Sequence, residues 1–209
     1  MKAMMATIAR GAAPSFASSA EEVSPYRWTR REYAQLIEHG ILGEDDHVQL
    51  IEGEIITMAP QKEPHAAAIM LGRDALQLAF GTGFQVRPQL PLALGPASEP
   101  EPDLAVVAGR PRDYLKDHPA SAVLVVEISD TTLAFNRGRK GSLYARAGIR
   151  EYWILNLVRR QLEVYRDPAL MPETRYGAGF ETRFVVAEDG EVAPLAAPHS
   201  VVNVSDLLP

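Results

Sequence analysis

The chain contains no cysteine, which excludes disulfides and thiolate metal sites. Any bound metal must therefore rest on carboxylates, histidines, carbonyls or water, a donor set suited to hard cations such as magnesium. No apolar run reaches the length of a membrane span; the longest, such as Ala122–Val126, are strand-sized. A surplus of positive charge is also missing. The net charge is −6, which argues against a general nucleic-acid coat. Phosphate-cradling glycine loops are absent, since Gly138 and Gly141 fit no such pattern. The five histidines show no zinc spacing, and no serine sits in a nucleophile elbow.

What is present fits one well-buried domain. The 209 residues are 46% hydrophobic and 23% charged, an ordinary balance for a folded chain. Residues 1–24 are rich in Ala, Ser and Met, with Lys2 and Arg10 as the only bases, and read as a disordered leader before a domain over 25–209. A cytoplasmic location is the expectation.

Charge is distributed unevenly. Between Thr131 and Arg166 stand eight bases (Arg137, Arg139, Lys140, Arg146, Arg150, Arg159, Arg160 and Arg166) against Glu151 and Glu163. That asymmetry suits either a basic wall facing an acidic centre or a solvated helix and hairpin whose charges balance neighbouring acids.

Along the chain, Thr29 is placed to cap a helix to about His39, with Gly40 as its stop. Val48–Ile51 and Glu54–Met58 flank Glu52-Gly53, a two-residue hairpin signal. Pro64 begins a second helix that ends at Gly81. Phe84–Pro88 and Leu90–Leu94 read as extended segments broken by prolines. Asp103–Ala108 and Ala122–Ile128 come next as strands, the second nearly continuous in apolar residues and so covered on both faces. Phe135–Ala147 reads as a helix weakened by Gly138 and Gly141, and Glu151–Leu155 and Leu162–Arg166 as strands. Phe184–Ala187 and a short helix near Ser205–Leu208 close the chain. The order predicts an α/β domain around a mixed sheet, with an N-terminal helix and β-hairpin.

Asp103 begins one strand and Glu127 nearly ends the next. If the two strands are antiparallel neighbours, the carboxylates converge at one edge of the sheet. Ionised carboxylates that close repel unless a cation lies between them or one is protonated. Magnesium suits such a pair, keeps several waters and shares phosphate oxygens. Glu127 is the more telling residue, because a charge at the end of a buried strand is costly without a partner. Lys140 lies thirteen positions on, in a helix whose start a right-handed crossover sets above the same sheet edge. Tyr144, one turn later, shares its face. Each residue taken singly is more often a solvated strand end or surface group.

The combined motifs are more specific. Glu99-Pro100-Glu101-Pro102-Asp103 with Leu104–Val107 resembles a "PD" strand; Leu124–Leu133 resembles an "E-x-S" strand and threonine-rich turn. Arg137 to Lys140, Tyr144–Ile149 and Glu151–Ile154 are similar to a "DRxxK…YAxAGIxEYW" helix and strand, and Leu50–Ile55 with His65 to a hairpin and helix entrance. From about Tyr26 to Pro168 the chain resembles the Uma-type restriction-endonuclease family, a branch of the PD-(D/E)XK nuclease-like superfamily. The resemblance implies a restriction-endonuclease-like core, Asp103 and Glu127 as magnesium ligands (manganese as substitute) and Lys140 as the catalytic lysine. The wider superfamily has its lysine where Ser129 stands here. Glu54, as a further acid, and His65, at the site's mouth, are implied as auxiliary groups with Ser129 and Tyr144. Two departures stand out: Gln49 where the family has an acid, and Asn136 where it has an aspartate.

The implied activity is magnesium-assisted hydrolysis of phosphodiester bonds in DNA by a homodimer whose two-fold axis matches the duplex. Two alternatives remain at this level: a nucleic-acid-binding or regulatory protein with feeble or lost cleavage, and an enzyme acting on a smaller phosphorylated substrate. The place of residues 168–209 is open.

Overall fold

The computed structural model describes residues 24–58 and 60–209, so the expected leader lies almost wholly outside the described residues. Thr29 forms a capping box with Glu32, its Oγ1 accepting from the Glu32 amide at 3.2 Å. This starts α1 (Arg30–Glu38). Strands β1 (Val48–Ile51) and β2 (Glu54–Thr57) form the hairpin. Its turn needs two left-handed residues, and Glu52 and Gly53 take φ values of 51° and 78°. A side chain on Gly53 would also collide with Arg27, 2.8 Å away. Helix α2 (Glu63–Phe80) has Pro64 in its first turn and ends at Gly81.

The main sheet has six strands in the order β3-β4-β5-β6-β7-β8. These are β3 (Phe84–Pro88), β4 (Leu104–Ala108), β5 (Leu124–Ser129), β6 (Glu151–Asn156), β7 (Gln161–Leu170) and β8 (Ala178–Ala187). All neighbours are antiparallel except β5 and β6, whose parallel pairing requires a crossover. The crossover is a helix in three parts: α3 (Leu133–Phe135), a π-helical turn over Asn136–Lys140, and α4 (Gly141–Arg146). Short strands β9 (Glu191–Val192) and β10 (Val202–Asn203) and a 3₁₀ turn over Val204–Leu207 complete the order.

Both faces of the sheet are covered, which accounts for the unbroken apolar character of β5. On one face Leu104, Val106, Val126, Ile128 and Trp153 pack against Ala68, Ile69, Leu76 and Phe80 of α2. On the other, Ala105, Val107, Val125, Tyr152 and Ile154 pack against Leu143 and Tyr144 of α4 and Ile51 of the hairpin. The late chain completes the first core: Val192, Val202, Val204, Leu207 and Leu208 lie in the cluster with α2.

Three expectations change. Leu90–Leu94, read as extended, joins no ladder, since Pro91 has no amide to donate; Leu92 instead donates to the Pro100 carbonyl and Ala93 to that of Pro119. β8 begins six residues before Phe184, its early part hidden in the sequence by Gly179 and the polar run Glu181-Thr182-Arg183. Those exposed polar side chains suit an edge strand, where they discourage pairing with another chain. The crossover helix starts at Leu133 and carries a π turn. Gly141 sits where a Cβ would lie 3.3 Å from the Asn136 carbonyl oxygen, a tight approach that a side chain would meet only with a small shift of the turn.

Candidate active site

The register of β4 and β5 pairs Leu104 with Val126, so Asp103, one residue earlier, stands opposite Glu127. The Asp103 carboxylate reaches across, Oδ2 accepting from the Ile128 amide at 2.7 Å. Its Oδ1 lies 2.9 Å from Nε2 of His65, which the first turn of α2 carries to the same corner. Glu127 is 3% exposed, and its Oε1 accepts from Lys140 Nζ at 2.7 Å and from the Tyr144 hydroxyl at 2.6 Å. Lys140 and Tyr144 are four residues apart, one helical turn, and present their polar ends together.

The electrostatics arise from burial. Desolvation pushes the Glu127 carboxyl above the ordinary carboxylate range, Lys140 pulls it back, and the negative charge of Asp103 pushes it up again. Burial likewise drives the Tyr144 hydroxyl well above its usual value, reinforced by Glu127, so Tyr144 stays a hydrogen-bond donor. For His65, burial alone would lower the imidazole; its hydrogen bond to Asp103 and the charges of Asp103, Asp130 and Glu127 outweigh that and leave it raised.

The other candidate residues lie elsewhere. Ser129 is buried, and its hydroxyl accepts from Asn136 Nδ2 at 2.8 Å; it fastens the crossover to the strand end. Glu54 is engaged by Arg139 at 2.7 Å and by Arg27, and these partners hold its carboxyl below the ordinary range. With Arg139 and Arg146 also on Glu52, it anchors the hairpin to the crossover helix. Gln49 accepts from the Glu101 amide at 3.3 Å.

Sequence reasoning passed over three groups at the mouth. Lys62, the residue before α2, meets Asp130 at 3.2 Å, bridging the start of α2 and the end of β5. Glu101 is partly buried; burial pushes its carboxyl up, opposed by the charge of Lys140. The signal for the two acids was proximity in sequence, Glu101 two residues before Asp103 and Asp130 three after Glu127.

Asp103 and Glu127 also bear on metal binding. Among the described residues no three His, Asp or Glu side chains converge on a point that would hold an ion. A dedicated all-protein cage is therefore not built here. Two hard carboxylates that repel one another, with both hydrogen bonds to Glu127 falling on one oxygen, fit an ion that keeps waters and shares phosphate oxygens.

The basic segment is not an open wall. Six of its eight bases have acid partners: Arg137 with Glu163, Arg139 with Glu52 and Glu54, Lys140 with Glu127, Arg146 with Glu52, Arg160 with Glu188 and Arg166 with Glu151. Internal balance, the second of the two charge readings, describes most of it.

No helix of the described chain is long and apolar enough to cross a membrane. No curated protein matches the sequence. A solved structure described as "a putative nuclease belonging to DUF820 from Anabaena variabilis ATCC 29413" is similar over 81% of this chain and 94% of that one, at 19% identity and a TM-score of 0.59. It shares the fold. The model of a family described as "Uma2: Putative restriction endonuclease" matches residues 30–185. On that match, with a nuclease-like fold around a mixed six-stranded sheet, the chain belongs to the Uma2 family.

Proposed function

We propose that this protein is an endonuclease that hydrolyses phosphodiester bonds in DNA with the help of magnesium, and that it works in the cytoplasm as a homodimer. The single observation that carries this reading is the corner where Asp103 stands opposite Glu127 while a buried lysine and a buried tyrosine close on Glu127. Asp103 and Glu127 are the residues that would hold the ion. When bound, it would supply a more acidic water and neutralise charge developing on phosphorus.

The chain's own groups do the rest. Lys140 and Tyr144 fix the Glu127 carboxylate in one rotamer, and the Ile128 amide does the same for Asp103. Pre-set ligands cost no reorganisation when substrate arrives. The Lys140 ammonium, a compact cation at the same corner, is the group to stabilise negative charge on a phosphate oxygen beside Glu127. His65, with its raised affinity for a proton, is placed to donate a hydrogen bond at the mouth.

Incubating purified protein with supercoiled plasmid and magnesium or manganese tests the reading. Nicking that disappears in Asp103→Asn supports it, and no nicking with either ion overturns it. One observation favours a second reading, a DNA-binding protein with weak cleavage: Lys140 is spent on Glu127, and most neighbouring bases are paired within the chain. Duplex binding without nicking would select it.

A further inference from the structure

Five charged residues are buried among those described: Arg87, Glu127, Lys140, Glu151 and Glu163. Glu127 and Lys140 satisfy each other, Glu151 has Arg166, and Glu163 has Arg137 and Arg183. Arg87 alone has no acid. It lies on the edge strand β3 and is 8% exposed; its Nε is enclosed with no hydrogen-bond acceptor. Two residues along the same strand, and so on the same face, Nε2 of Gln85 is enclosed and equally without an acceptor. The Tyr114 ring covers the guanidinium, with Cζ 5.6 Å from the ring centroid. An aromatic face attracts a cation but accepts no in-plane hydrogen bond of carboxylate strength. Burial accordingly pulls the Arg87 guanidinium below its ordinary value, with no carboxylate to offset it.

A guanidinium whose Nε is shut off from water without a counter-charge is destabilised, and so is a buried amide donor with no acceptor. Both groups lack the same thing, a source of lone pairs and negative charge. Register fixes where that source would sit. Arg87 pairs with Ala105 and Gln85 with Val107, which places both on the sheet face that Asp103 and Glu127 share by alternation. Strand geometry puts the Cα of Arg87 about 8 Å from that of Asp103, near enough for one extended ligand to reach both.

We propose that Arg87 and Gln85 form an oxyanion subsite for a phosphate group beside the corner that holds Asp103 and Glu127. Arg87 offers a planar fork matched to two phosphate oxygens, and Gln85 supplies a neutral donor next to it. The source of the phosphate rests on the nuclease reading: a phosphodiester flanking the one to be cut. The subsite itself depends only on the unpaired donors.

The test uses wild-type protein in EDTA, so that binding is read without cleavage. The Arg87 Nε–Hε resonance is monitored while inorganic phosphate, then a short DNA duplex, is added, and duplex affinity is measured across salt concentrations for wild type and Arg87→Met. The resonance should shift, and Arg87→Met should bind the duplex about 10-fold more weakly with a salt slope reduced by about 1. A shift with duplex alone identifies a phosphodiester subsite. A shift with inorganic phosphate in a protein that binds no duplex supports the subsite and removes the nucleic-acid reading. A resonance that moves with neither ligand, or a folded Arg87→Met with unchanged salt slope, overturns the inference even if plasmid nicking is intact. Should Arg87→Met fail to fold, Arg87→Lys, which keeps the charge and loses the fork, takes its place beside the wild-type titration.

Discussion

Glu127 and Glu163 are both buried in the sheet, both accept a hydrogen bond from a tyrosine, and both face a base from the crossover helix. Their proton affinities nevertheless move in opposite directions. Burial raises each, but around Glu163 the hydrogen bonds of Arg137 and Tyr165 and the charges of Arg137 and Arg183 reverse that and bring it down to about 2. Glu127 has one lysine, and Asp103 beside it works against that lysine, so burial wins. A fully compensated acid is a structural ion pair. An acid left short of positive charge beside a second acid is where a cation belongs.

That contrast can be broken by substitution. Glu163→Gln should have the largest effect on stability, since it removes a buried carboxylate held by Arg137, Arg183 and Tyr165: about 3 kcal/mol, or roughly 6–12 °C in Tm, by calorimetry. The sign with pH is set by its lowered proton affinity. The stabilisation from Glu163 is complete above its unfolded value of 4.5 and is lost as pH falls toward about 2, so wild type should unfold in acid over that window and the variant should show a flatter profile. Lys140→Met should reduce magnesium-dependent nicking by about 100-fold, with the retained fold checked by circular dichroism.

Glu127→Gln should cost less than Glu163→Gln at neutral pH, about 1 kcal/mol, because burial already disfavours the ionised glutamate and its removal offsets part of the cost of leaving Lys140 without a carboxylate. Its raised proton affinity means ionisation opposes folding: the contribution of Glu127 is present below 4.5 and lost as pH rises through the raised value, and the glutamine variant lacks that dependence. A loss matching that of Glu163→Gln would show the two acids to be equivalent and remove the distinction. Asp103→Asn should lower the His65 proton affinity, read by NMR titration, because the partner that outweighs burial is gone. Smallest of all, Arg160→Ala removes an exposed pair with Glu188 and should leave the calorimetric Tm unchanged within its scatter.

The corner was legible because it depends on short-range signals. An acid closing an apolar run announces a strand end that needs a partner, and two consecutive antiparallel strands bring Asp103 and Glu127 level with no further information. Lys140 came from crossover geometry. The features that sequence hid depend on long-range pairing. Whether the arginines of the crossover formed a basic wall or a balanced surface stayed open in the sequence because their acids lie far away in the chain, Glu52 and Glu54 on the hairpin and Glu163 on β7. Asn136, where the family has an aspartate, has a role set by the fold: its amide bridges the hydroxyls of Ser129 and Thr132. Arg87 gave no sign at all, since an unpaired buried base is defined by the partners that fail to approach it.

The π turn over Asn136–Lys140 carries a consequence for chain length. It closes on the Asn136 carbonyl, which receives the Gly141 amide and the Tyr152 hydroxyl at 3.0 Å, and so accommodates one residue more than a regular α turn. Removing one residue there would return the helix to ordinary spacing with the parts before and after it still in register, whereas a deletion from a regular α turn would rotate the two parts by about 100° relative to one another. A lone codon lost between Asn136 and Lys140 thus leaves the ammonium facing its glutamate.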